Sequence, residues 1–342
     1  MMKKIIVLFL ALVIFGTGCQ RATATTEDIQ GVNLFDRDTD YETYFVPETS
    51  IAVSDLIPEF NSANMALICS DGSTVYPMSD GVIRETSAIG VSFETATMQV
   101  DDVVSIYMGQ NRYSITDTYR DAKQILEDNG RVMIVLLDGF GNYAYKRALE
   151  SGQIPYLSTL EEHEALSVYV PVTNAGFAAM ITGQGPDVNG VHDRSYRDLK
   201  VQSIFGDALE MGKKSILIEA DIQILNTEIA PELHVDVNGD GNIDDEIFEQ
   251  AKEVVGEDYD LIFIHFHGID DRGHDFGPDA EETMAYVQVI DGYVETLASL
   301  WDGNMILTAD HGMDFDEEGG YHGRGNTMDM VVPYFTRECV GQ

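Results

Sequence analysis

Several features that would place this chain in a common class are scarce or missing. Its 342 residues include three cysteines, nine prolines and one tryptophan, which excludes a disulfide-stapled scaffold and a proline-rich extended chain. Positive charge is also scarce: 20 Lys and Arg stand against 59 Asp and Glu, a net charge of −39. That field repels polyanions, so binding along a nucleic-acid polymer is not expected. A small phosphorylated substrate stays compatible with it, provided that metal ions offset the repulsion locally. No internal repeat is present. Composition is otherwise that of a globular protein, with 44% hydrophobic and 23% charged residues, long enough for a main domain and a smaller companion.

The N-terminus reads as an address. Lys3 and Lys4 precede the apolar run Ile5 to Phe15, too short to span a bilayer, and small residues lead to Cys19. Gly16-Thr17-Gly18-Cys19 resembles the lipobox of bacterial lipoproteins, with Gly16 in place of the usual Leu. The resemblance implies lipidation at Cys19 and an extracytoplasmic, membrane-anchored protein. Residues 1–19 are therefore expected to be a signal and 20–31 a polar tether. Cys69 and Cys339 are the other two thiols. They read either as separate small core residues or as a bridge.

From 32 to 113 short β-like pieces such as MALICS and VVSIYM alternate with Asp-Gly and Gly-Gln turn signals. This predicts a small β-rich accessory domain without a ligand cluster. From 114 to 342 apolar strands alternate with amphipathic helices. A helix capped by Thr116 or Asp117 runs to Asn129-Gly130; a strand ends at Asp138; a helix covers Tyr143 to Ser151 and a strand about Leu166 to Val170. A further helix begins at Thr173, and a long one spans Asp279 to Leu300. The alternation predicts an α/β domain with a mostly parallel central sheet covered by helices on both faces.

Three apolar runs end in acids and imidazoles. VMIVLL leads to Asp138, LIFIHF leads to Asp270 with His274 four residues on, and NMILT leads to Asp310-His311; His322 follows a Gly-Gly turn. Strand ends of an open parallel sheet are where ligands bind. Mixed carboxylate and imidazole donors suit zinc, and six of them exceed one four-coordinate ion, so two ions are expected. Each residue alone has an ordinary reading as a cap, turn or structural group; their joint placement favours metal. Thr173 reads on spacing as an N-cap, but a hydroxyl beside two ions at a helix start can act as a nucleophile. His265 and His267 share one side of their strand and read as core or supporting residues. Asp236, Asn238, Asp240 and Asp244 match the opening of an EF-hand-like loop. Possible calcium at 236–246 is offset by Ile247, which stands where the closing acid is expected.

These pieces together resemble the alkaline phosphatase superfamily, most of all its type I phosphodiesterase and nucleotide pyrophosphatase branch. The matching motifs are Asp138-Gly139, Thr173 followed by Thr182-Gly183, Pro186 and Gly190, Asp270-x-x-Gly273-His274-x-x-Gly277-Pro278, Ala309-Asp310-His311-Gly312-Met313, and His322-Gly323. The resemblance implies that Asp138, Asp310 and His311 hold one ion with the Thr173 oxygen, and Asp270, His274 and His322 the other. Ala175 departs from the branch's proline. Asn174 resembles phosphonoacetate hydrolases and is a candidate substrate contact. Arg194 falls where the branch has a phosphate-holding asparagine, so a guanidinium would grip the phosphoryl group. The implied activity is an exported, metal-dependent phosphoric ester hydrolase working through a phospho-threonine, with diesters favoured over monoesters or phosphonates. Phe140, Tyr143 and Phe177 could stack on a nucleobase or be core. A binding lipoprotein with a retired site is the non-enzymatic alternative. The complete ligand set argues against it. Nothing in the pattern specifies an oligomeric state.

Overall fold

The computed structural model describes residues 31–36, 44–45, 50–56, 61, 64–85, 90–109, 113–317 and 319–339. The leader, Cys19 and most of the tether lie outside the described residues. Two eight-stranded sheets organise the rest.

The larger sheet is centred on the apolar run VMIVLL. Val132–Leu137 is buried at every position, as a strand covered on both faces must be. It lies between Leu261–Phe266 and Asn304–Thr308, parallel to both. Ser215–Glu219 and then Glu232–Leu233 extend the parallel part on one side. On the other side Val331–Arg337 runs antiparallel to Asn304–Thr308, and Glu161–Leu166 runs antiparallel to Val331–Arg337. The expected mostly parallel α/β sheet is thus borne out. The strand placed near Leu166–Val170 corrects to Glu161–Leu166; the expectation followed the apolar residues, whereas backbone pairing runs through the polar half, Glu161 to Glu164, at the sheet's margin. Helices Asp117–Glu127, Asn142–Ser151, Thr173–Thr182 and Glu281–Leu300 fall close to their predicted positions. Gly268–Phe276 adds a helix that places Asp270 and His274 one turn apart.

The smaller sheet is built from strands between Gly31 and Met108, mostly antiparallel, with Gly31–Phe35 parallel to the long strand Gln99–Met108. It has its own core, including Val32, Leu34, Leu67, Phe93 and Ile106. Tyr113–Ser114 already belongs to the larger sheet, pairing with Ala165 and Leu166. Cys69 is buried and Cys339 exposed, and both are free thiols. The bridge is therefore absent, and Cys339 is not the core residue its size suggested. Among the described residues no helix is long and apolar enough to cross a membrane.

Candidate metal centres

Each strand of the central trio delivers its acid at its carboxyl end. Asp138 follows Leu137, and its backbone N–H bonds the Phe266 carbonyl of the neighbouring strand. Gly139 then turns with φ +71, where a Cβ would lie 2.8 Å from an Asp270 carboxylate oxygen. Only glycine fits this turn. Asp310 and His311 follow Thr308 after one residue and are fully buried.

Two groups form. In the first, His311 Nε2 lies 3.3 Å from Asp138 Oδ1 and 3.3 Å from Asp310 Oδ2, with Thr173 Oγ1 3.4 Å away. In the second, His274 Nε2 is 3.4 Å from Asp270 Oδ2 and His322 Nε2 is 3.7 Å from Asp270 Oδ1. The His311 and His322 rings stack at 3.8 Å, so the two groups share one cleft. Thr173 is the first helical residue rather than the cap, which is Val172 without a side-chain bond. Its hydroxyl is free to face His311.

Both sets have the donor arrangement of metal ligands. His274, His311 and His322 each hold a backbone carbonyl through Nδ1, those of Gly320, Gly312 and Pro171, at 2.9, 3.0 and 2.8 Å. With Nδ1 donating, each Nε2 keeps its lone pair, the tautomer a metal requires; those of His274 and His311 face the carboxylates, and that of His322 faces the Arg194 guanidinium with Asp270 beyond it. Asp138 Oδ1, Asp270 Oδ1, Asp310 Oδ2 and His274 Nε2 are buried without a hydrogen-bond partner. Orphaned acceptors facing one another are unfavourable unless a cation joins them. The residues present therefore fit two divalent ions, and each trio brings its ligand atoms within 4.8 Å of one another.

The charges in the cleft pull on one another: the hydrogen bond to Asp270 pushes His274 up to about 9, and burial of His311 is outweighed by Asp310, Asp270 and Asp138, which raise it. Burial and then the nearby Asp138 carboxylate push Asp310 up to about 7. Asp138 itself is opposed by burial, but bonds from His265 and His267 and the surrounding imidazoles hold it well below the usual carboxylate range. Burial, followed by the His311 charge, depresses His322 to about 3. Its ring is neutral and available as a ligand.

Behind the first group sits a buried relay that the sequence only half disclosed. His265 Nε2 is 3.1 Å from Asp138 Oδ2, and its Nδ1 is 3.5 Å from Glu219 Oε1, with no exposure at His265 or Glu219. His267 stacks on His265 at 3.7 Å and also faces Asp138. Their expected supporting position holds, and Asp138, His265 and His267 form a third close ligand group. Glu219 was missed. Its only signal is its place at the end of an apolar strand, the same signal carried by Asp138.

Three expectations are revised. Asn174 is buried, and its amide nitrogen donates to the carbonyls of Tyr196 and Ile224 at 3.0 and 3.1 Å. Both amide hydrogens are spent on tying two loops together, so it is not a donor to substrate. Asp244 leaves the calcium set: its two oxygens accept from the N–H groups of His267 and Gly268 and from the Tyr286 hydroxyl. Asp236 accepts the N–H groups of Gly239 and Gly241, and among the described residues no close ligand group lies in this loop. Self-satisfied turn bonds account for the calcium-like spacing. Phe140 and Phe177 are wholly buried and offer no stacking face, whereas Tyr143 is half-buried, its hydroxyl donating to Asp279 and its ring edge-on to Phe315. Arg194, by contrast, reaches the cleft from an exposed loop, with its guanidinium at His322 Nε2.

The profile of the type I phosphodiesterase / nucleotide pyrophosphatase family matches residues 214–318, and the resemblance read from the motifs is borne out. GPI ethanolamine phosphate transferase 1 of Schizosaccharomyces pombe is 36% identical over 108 residues, which cover 26% of this chain and 11% of that protein. The chain thus spans about a tenth of that relative's length. Among solved structures, phosphonoacetate hydrolase from Sinorhizobium meliloti has a TM-score of 0.44 at 18% identity, covering 54% of this chain and 57% of its own. The C-terminal periplasmic domain of phosphoethanolamine transferase EptC from Campylobacter jejuni has a TM-score of 0.46 at 10% identity, covering 61% and 78%.

Proposed function

We propose that this protein is a metal-dependent phosphoryl-transfer enzyme that acts on phosphoric esters through Thr173. The observation that carries the reading is the pair of converging acid and imidazole trios, with orphaned ligand atoms on both sides and a helix-borne hydroxyl beside the first of them. Asp138, Asp310 and His311, with Thr173 Oγ1, would hold one divalent ion, and Asp270, His274 and His322 the other. Zinc suits the mixed oxygen and nitrogen donors best. Such ions supply Lewis-acid stabilisation of developing charge and favour ionisation of a neighbouring hydroxyl.

The chain's own residues do the rest. Thr173 loses its proton to solvent and its Oγ1 attacks phosphorus; the new O–P bond forms as the bond to the leaving oxygen breaks, giving a phospho-threonine. The first-turn amides of the Thr173–Thr182 helix have no intrahelical acceptor and face the negative charge. Arg194 closes on a non-bridging oxygen, and its planar fork favours a doubly charged group. His265, held by Glu219, keeps Asp138 Oδ2 occupied so that Oδ1 points at the ion. Attack by water on the phospho-threonine gives hydrolysis. Attack by an acceptor alcohol gives transfer, the activity in the name of the Schizosaccharomyces pombe relative. Hydrolysis of diesters is the reading retained here, with monoesters and phosphonates as the alternatives. Lipidation at Cys19 would place the enzyme outside the cytoplasm at a membrane surface.

The test is a paired assay of an aryl phosphate and its aryl diester with the purified protein, with metal content measured on the same sample. Turnover of either ester, two ions per chain and a Thr173 adduct trapped by acid quench and mass spectrometry are expected. Unaltered turnover in Thr173→Ala would overturn the nucleophile.

A further inference from the structure

The second metal centre is not built by the larger sheet alone, and this assigns the N-terminal sheet a task. We infer that the sheet between Gly31 and Met108 is a positioning element for His322, holding the two chain segments between which that imidazole is fixed. The inference rests on reading Asp270, His274 and His322 as a metal centre.

His322 is carried on the segment entering the Val331–Arg337 strand, and its Nδ1 is held by the Pro171 carbonyl on the segment leading to Thr173. Both segments rest on the N-terminal sheet. Ser105, buried in the long strand Gln99–Met108, donates its hydroxyl to the Gly325 carbonyl at 2.9 Å, three residues from His322. Thr327 donates to the Asp36 carbonyl at 2.9 Å. A Cβ on Gly72 would lie 2.7 Å from the Tyr169 carbonyl, two residues before Pro171. Below these contacts Phe35, Ile68 and Tyr107 of one sheet form a single apolar cluster with Leu166, Met330 and Val331 of the other. A ligand imidazole must be kept within a few tenths of an ångström and about 10–20° of its working pose. His322 follows the two-residue strand Gly320–Tyr321, whose partner is the equally short Asp314–Phe315 and which belongs to neither large sheet. His311, in contrast, follows directly from a central strand.

Gly325 is the point at which the brace can be loosened without touching a ligand. An added Cβ there would overlap Ser105 Oγ and sit 3.1 Å from Ser105 Cβ, so Gly325→Ala either turns the Ser105 hydroxyl away from the Gly325 carbonyl or lifts the His322 segment from the sheet, and each undoes the brace. Full-length protein loaded with zinc is titrated with a competing chelator, with bound zinc and thermal unfolding measured together. Wild type is expected to hold two ions. Gly325→Ala is expected to keep one tightly and to weaken the other by tenfold or more, while unfolding stays cooperative. Adding Ser105→Gly to that background removes the clash but not the loss of the hydroxyl, and should bring the second ion back only to the level of Ser105→Ala. Ser105→Ala alone, which deletes the hydroxyl and adds no bulk, should weaken the same ion severalfold. Two ions held with wild-type affinity in both Gly325→Ala and Ser105→Ala would overturn the brace while leaving the two-centre reading intact. A wild type that holds no second ion would overturn both.

Discussion

The two ligand trios are similar in composition and different in construction. Asp138, Asp310 and His311 come from two adjacent strands of the central sheet and are 2%, 0% and 0% exposed. Asp270 and His274 come from a short helix, and His322 from a loop; the His274 side chain is 33% exposed. The first centre inherits its geometry from strand pairing, the stiffest part of the molecule. The second depends on contacts made by three separate segments. Enclosure and rigidity favour retention of an ion, whereas an open, multiply supported site can exchange its ligand. The nucleophile sits at the enclosed centre, and the exposed Arg194 reaches the open one.

The sharpest way to break that division is at the enclosed centre. Thr173→Ala should lower turnover by several orders of magnitude while both ions remain, because the hydroxyl is the group that enters the covalent bond. Single-turnover kinetics with zinc analysis checks it. Asp310→Asn should go further in one respect and lose the first ion as well as activity. Two ions bound and near-normal turnover in that variant would contradict the ligand assignment.

A smaller effect is expected one step behind the ligands. His265→Ala removes the group holding Asp138 Oδ2, and changes of this kind typically cost about 10–100-fold in metal affinity or activity. Stepwise zinc binding should weaken at the first centre and leave the second unchanged. Glu219→Gln should give a weaker change of the same kind. If His265→Ala lowers only thermal stability, the relay is a core feature and no more.

Graded chelation tests the comparison directly. The ion at Asp270, His274 and His322 should leave before the other, with activity falling in step with its loss. Simultaneous loss of both would mean that exposure does not distinguish the centres. The smallest effect on chemistry is predicted for Asp244→Ala, which strands the His267 and Gly268 N–H groups while the Tyr286 hydroxyl still reaches Asn242, and should lower stability by about 2 kcal/mol. Denaturant unfolding measures this. Calcium should leave both the wild type and this variant unshifted, because Asp244 serves the start of the ligand helix rather than an ion.

Much of this was legible before any coordinates. Buried strands announce themselves as unbroken apolar runs, and Asp138 and Asp310 could be placed at strand ends because a run stops where the chain leaves the sheet. His274 was legible through its four-residue spacing from Asp270. Glu219 was not, since one acid after one strand is ordinary until a histidine on the next strand is seen to face it. Asn174 and Asp244 were misread for the complementary reason: their residue types suit substrate and calcium, yet nearby backbone groups claim their polar atoms first.

By itself, then, the sequence determined the parallel sheet, the strand ends that carry the acids and the residues from which the proposed ligand trios and hydroxyl are drawn. These depend on local periodicity and on chemistry that each residue brings with it. Only the tertiary structure decided how closely the ligand atoms of each trio approach, which side-chain atoms are already engaged, and that a separate β-sheet lies against the segments holding His322. Those outcomes depend on contacts between residues up to 220 positions apart, as with Ser105 and Gly325. No local pattern encodes such a contact, because a serine on a strand looks the same whether its hydroxyl meets solvent or the carbonyl of a distant glycine.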